Sequence, residues 1–91
     1  MQNKTLEDYR KEIDKIDEEL LHVLAKRFDV IRQIGKLKKE NNIVPLDEKR
    51  WNEVIEKITG KAKHLNLSEN FMKTIYEEIH KASLALERDH E

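Results

Sequence analysis

"KRFDVIRQIGKLKKE", residues 26–40, has the spacing of an amphipathic helix, yet two of its cations stand where apolar residues belong. At about 100° per residue, with Arg27 as the origin, Leu20 falls near +20°, Val23 near −40°, Ile31 near +40° and Ile34 near −20°. Lys38 falls near +20° on the same wheel. Most other charges of the region, namely Glu18, Asp29, Arg32, Lys36 and Glu40, lie beyond about 130° and make the solvated face. Two cations therefore share a seam with Leu and Ile.

Two readings of that seam stay open. Long basic side chains lay their methylenes over apolar surface and bring the charge out to water. Alternatively, two heads about three turns and 16 Å apart on one line bracket a small anion. A cation buried without a partner costs several kcal/mol, and the seam itself offers no carboxylate. On this second reading the missing anion is a ligand.

Outward from this stretch, the helical period is unbroken from about Leu6 to Asn41. Ile13, Ile16, Leu20, Val23, Leu24, Ile31 and Ile34 hold the stripe, with Gly35 the one weak helix former. Such a helix is about 54 Å long, whereas a compact chain of 91 residues has a diameter of roughly 30 Å. The stripe is therefore expected to be covered by another chain. "NNIVPLDEKRW" ends the pattern: Asn41 and Asn42 suit a helix end, Pro45 forbids continuation, and Asp47 is an N-cap for a second helix over about 48–59. Gly60 is expected to stop it and "KAKHLN" to be a linker. Leu67 and Ser68 read as staple residue and N-cap of a third helix over about 69–88, with Met72 placed to pack back on Leu67.

The third helix carries its own anomaly. Met72, Tyr76 and Ile79 trace one edge of its apolar face, and the same path brings Ser83 and Glu87 onto that edge. A hydroxyl and a carboxyl group then point toward the core, one turn apart. A serine in that setting commonly bonds its own helix backbone, and Glu87 is near enough the chain end to fray.

Composition narrows the function classes. Charged residues are 41% of the chain and hydrophobic ones 37%, with two Gly and one Pro, which fits long helices and not a sheet. Eighteen basic against nineteen acidic residues give a net charge of −1, without the footprint of a nucleic-acid binder. The start, "MQNKTLEDYR", has no apolar signal region, and no apolar run reaches membrane-spanning length. A single cytoplasmic domain over residues 1–91, with no membrane and no nucleic-acid partner, is the expectation. His22, His64, His80 and His90 lack the i, i+3 or i+4 spacing of a helical metal-ligand pair, so no metal is expected.

"YRKEIDKIDEELLHVLAKRFDVIRQIGKLKKE", the Pro-containing loop with "LDEKR", and a third helix ending "EEIHKASLALER" together resemble the all-helical chorismate mutases, the AroQ class. The resemblance covers about residues 6–88. Its most specific parts are the "R..ID.ID..LL.VLA.R" spacing and the "IG..K" that follows. It implies an all-α fold of three helices per chain, long, short and medium, in an intertwined homodimer with two equivalent sites. It also implies the rearrangement of chorismate to prephenate in phenylalanine and tyrosine biosynthesis, without metal or cofactor.

The resemblance implies roles for particular residues. Arg27 and Lys38 belong to the site of their own chain, and Arg10 enters from the partner's long helix; together they hold the two carboxylates of the substrate. Lys38 also faces the ether oxygen. Asp47 and Arg50 match the loop and helix start that contact the ring hydroxyl and support the site. Ser83 matches a carboxylate-binding hydroxyl, and Glu87 a second contact to the ether oxygen, often Gln in the family. Negative charge grows on that oxygen as the C–O bond breaks and the C–C bond forms, so a donor fixed in a dry site favours the transition state over the ground state. Holding the enolpyruvyl arm over the ring removes rotational freedom beforehand.

Two positions depart from the family pattern. Trp51 stands where the family usually carries a Glu that accepts from the ring hydroxyl, and an indole offers no comparable acceptor. Glu48, one turn earlier, is one substitute; Trp51 packing on the dimer core is the plainer reading. A weaker mutase is a third reading and a change of substrate a fourth, the last pointing to isochorismate-pyruvate lyase, a relative of the same fold. Glu87 is useful at the ether oxygen as the neutral acid, which donates where the carboxylate would repel. Turnover rising as pH falls, and flattened by Glu87→Gln, is the corresponding expectation. A non-catalytic helical dimer is the remaining alternative.

Overall fold

The computed structural model describes residues 3–89, and the regular elements among them are three α-helices. These are α1 (Leu6–Glu40), α2 (Glu48–His64) and α3 (Glu69–Arg88). The chain divides into two units, Met1–Val30 and Ile31–Glu91, each described here by itself.

The first unit is the N-terminal part of α1, and its start is fixed by a reciprocal cap. The Asp8 backbone N–H donates to Thr5 Oγ1 at 3.1 Å, while the Thr5 N–H donates to Asp8 Oδ2 at 2.9 Å. Two orphan amide donors are satisfied at once. The Thr5 bonds, backbone first and side chain second, hold the Asp8 carboxyl below its ordinary value of 3.8. Downstream, the apolar stripe lies open to solvent. Leu6, Ile13, Ile16, Leu20 and Val23 are each 51–65% exposed. Leu24, Arg27 and Phe28 are partly buried.

The second unit comprises the last turns of α1 together with α2 and α3, and α2 packs against α3. Helix ends here are set by the local chemistry of Asn, Asp and Ser. Asn42, at φ 56°, takes the left-handed conformation just past α1, and the Ile43 N–H donates to the Lys38 carbonyl at 2.8 Å. Asn is among the few non-glycine residues that adopt this conformation readily, and the six-to-one bond satisfies an otherwise orphaned carbonyl. Asp47 caps α2 by accepting from the Arg50 N–H at 3.0 Å, and Ser68 caps α3 by accepting from the Phe71 N–H at 3.2 Å. α3 occupies the expected residues.

α2 departs from expectation. It does not stop at Gly60 but continues through residues 61–64, so the first four residues of "KAKHLN" are helix and not linker. A glycine in a helix interior costs only about 1 kcal/mol relative to Ala. Ala62, just beyond it, is buried, which favours carrying the helix on. The true stop is Asn66, again at φ 56°, with the Leu65 and Leu67 N–H groups both donating to the Ala62 carbonyl at 3.1 and 3.0 Å. Among the described residues no helix is long and apolar enough to cross a membrane.

Candidate functional site

The buried polar groups of the second unit lie on α3. Ser83 and Glu87 are only 4% and 6% exposed, while most of the apolar side chains around them are partly buried. Their position follows from the helical period, which carries the edge of Met72, Tyr76 and Ile79 on to Ser83 and Glu87.

Lys38, in the last turn of α1, meets this edge. Its Nζ is 2.7 Å from Glu87 Oε1, with the two side chains 19% and 7% exposed. The same ammonium donates to the Pro45 carbonyl and so ties the loop before α2 to the end of α1. Lys38 therefore has a carboxylate partner within its own chain, contrary to the expectation drawn from the seam. The partner was out of view because it comes from α3 and not from α1. The approach to Glu87 is an ion pair that misses hydrogen-bond alignment: Oε1 is buried and has no hydrogen-bond donor among the described residues. An open groove beside Lys38 is lined by Lys39, Asn42, Ile43, Val44 and Pro45.

Ser83 Oγ donates to the Ile79 carbonyl at 2.7 Å, the back-bond to its own helix that a buried serine commonly makes. That bond uses its proton and keeps the oxygen as an acceptor. Asp47 spends one carboxylate oxygen on its cap. Arg50 is exposed, 3.6 Å from Glu53 across one turn, a pair that contributes little stability at such exposure. Trp51 is partly buried and stacks on His80 of α3, with ring centroids 4.0 Å apart and planes 13° from parallel. Sequence reasoning treated His80 only as an unsuitable metal ligand and missed this pairing. Arg10 and Arg27 belong to the first unit, where Arg10 is exposed and Arg27 partly buried. Glu48 is exposed. Among the described residues no group of three His, Asp or Glu side chains is placed to hold a metal ion.

The second unit thus pairs an ammonium with a carboxyl group, buries a hydroxyl oxygen one turn earlier on α3, and stacks Trp51 of α2 on His80 of α3. A dry, fixed ammonium can stabilise negative charge developing on an atom bound next to it.

Proteins of related sequence are known. A bifunctional chorismate mutase/prephenate dehydratase of Aquifex aeolicus is 36% identical over 86 residues, covering 91% of this chain and 24% of that protein. One from Buchnera aphidicola of Acyrthosiphon pisum is 28% identical over 86 residues, covering 94% of this chain and 22% of its own length. A protein named T-protein from Haemophilus influenzae is 40% identical over 40 residues, 44% of this chain and 11% of that protein. This chain therefore spans about a quarter of the length of the bifunctional relatives. The family model described as chorismate mutase type II matches residues 9–88. That match takes in all of α2 and α3, nearly all of α1, and every candidate site residue from Arg10 to Glu87, so the chain belongs to the type II chorismate mutase family.

Proposed function

We propose that this chain catalyses the rearrangement of chorismate to prephenate, as a cytoplasmic enzyme working in the form of an intertwined homodimer. The observation that carries the reading is the Lys38–Glu87 pair, a positive head and a carboxyl group held together in a largely dry part of a chain of this family. In this reading Lys38 faces the ether oxygen and stabilises the charge that grows there, and Glu87 makes the second contact to the same atom. Arg27 and the partner copy's counterpart of Arg10 bind the two carboxylates, where charge-assisted and bidentate contacts are strongest. Ser83 adds a polar contact to a carboxylate, and Asp47, Arg50 and Trp51 border the ring. The bond changes are internal to one substrate molecule, so no nucleophile, general base or cofactor enters the chemistry.

The dimer is supported by the open stripe of the first unit. Five large apolar side chains more than half exposed, Leu6, Ile13, Ile16, Leu20 and Val23, are a surface that another helix covers. A second copy of the same long helix supplies an equal stripe and brings Arg10 with it.

Lys38→Ala tests the catalytic reading. The variant is expected to keep its helical circular dichroism and lose most of its turnover of chorismate; turnover equal to that of the unaltered chain refutes it. One observation favours a second reading. Trp51 in place of the usual Glu lacks an acceptor for the ring hydroxyl, which suits isochorismate-pyruvate lyase, and release of pyruvate from isochorismate identifies that enzyme.

A further inference from the structure

We propose that Asn42, through the left-handed turn it makes just past α1, is a positioning residue that aims the Lys38 ammonium at the ether oxygen of the substrate. The inference rests on the mutase reading above and deepens it. A lysine head is a point charge on a flexible stem, so it stabilises a developing charge well only where something else fixes it. The loop after α1 holds Lys38 at both ends. The Lys38 backbone carbonyl accepts from the Ile43 N–H at 2.8 Å, and the Lys38 ammonium donates to the Pro45 carbonyl.

Both contacts depend on one turn. The Ile43 bond, together with the 3.3 Å bond from the Asn42 N–H to the Lys39 carbonyl, is the pair that ends a helix on a left-handed residue, and Asn42 at φ 56° is that residue. The reversal brings Pro45 within reach of the Lys38 head, and residues 42–45 wall the groove beside it. Proline fixes its own φ at about −65°, which limits where the Pro45 carbonyl can point. Glu87 of α3 flanks the same ammonium at 2.7 Å. A head held from a loop and from a second helix has little room to move. An ammonium carries three N–H donors, so with one on the Pro45 carbonyl and one toward Glu87 the third stays for an oxygen of the bound molecule. Asn42 itself is exposed and acts through Lys38. Its position demands a backbone conformation that glycine adopts without strain and a β-branched residue does not.

Asn42→Val is expected to lower kcat for chorismate roughly 10-fold or more with KM little changed, because a displaced ammonium loses stabilisation that is made only in the transition state. Asn42→Gly keeps the turn and is expected to keep both constants. A merely structural role predicts instead that Asn42→Val lowers the urea midpoint and leaves kcat per folded molecule where it was. Asn42→Val with kcat equal to that of Asn42→Gly overturns the proposal, and so does a loss that appears in KM alone. Should Asn42→Val fail to fold, Asn42→Ala decides: a kcat below that of Asn42→Gly is expected, and equality of the two overturns it. An unaltered chain that does not turn over chorismate overturns the mutase reading and this one with it, whereas turnover indifferent to the turn at Asn42 overturns this one alone.

Discussion

Replacing Lys38 by Met removes the ammonium 2.7 Å from Glu87 Oε1 and keeps the methylene stem. Glu87 then stays 7% exposed with no cation beside it, and the Pro45 carbonyl loses its donor. Removing one partner of a buried pair costs about 3–5 kcal/mol. Lys38 is 19% exposed, so solvent screening reduces the expected cost to about 2–3 kcal/mol. For a domain of this size each kcal/mol lowers Tm by about 4–8 °C, which puts the drop near 10–20 °C. Replacing both partners with apolar side chains, Lys38→Met with Glu87→Leu, leaves no buried charge and is expected to recover most of the loss. Urea unfolding followed by circular dichroism at one fixed protein concentration measures all four corners of this cycle. Additive losses, or a Lys38→Met cost below about 0.5 kcal/mol, would refute the claim that the pair is a coupled buried unit.

The remaining predictions concern the two units separately. The unaltered chain is expected to sediment as a dimer, and Ile13→Asp with Leu20→Asp to abolish it, since each apolar side chain forfeits about 1.5–3 kcal/mol of burial in each copy; a monomeric unaltered chain at micromolar concentration would contradict this. Gly60→Ala is expected to stabilise by about 0.5–1 kcal/mol, because the added methyl meets no atom within 4 Å and Gly60 lies inside α2; a lower urea midpoint would count against it. The Thr5 bonds hold the Asp8 carboxyl below 3.8, so their protection of the first turn of α1 is fully present above that value and is lost as pH falls through the lowered one. Amide exchange of the first turn, compared with Asp8→Ala, reads this directly: the variant lacks the acceptor of the Thr5 N–H and should show no such pH dependence.

Helix ends were legible where one residue decides them. Asp47 and Ser68 cap through their own side chains, and Asn42 tolerates positive φ, so each acts over three or four residues. Gly60 misled because its cost is small and is offset by a neighbour, Ala62, whose burial depends on tertiary packing. The inward turn of Ser83 and Glu87 followed from periodicity alone. What periodicity cannot supply is the pairing of distant elements: Lys38 with Glu87, and Trp51 with His80, each join side chains from different helices. The seam cation therefore looked unpartnered from within α1, and a histidine with no metal-binding neighbour looked idle.

The most direct test of the central claim is the identity of the product when the purified chain is given chorismate, followed by proton magnetic resonance. Prephenate is expected to appear mole for mole as chorismate disappears, with no pyruvate released from isochorismate in a parallel incubation. Chorismate left unchanged, or pyruvate formed from isochorismate without prephenate from chorismate, would contradict the account.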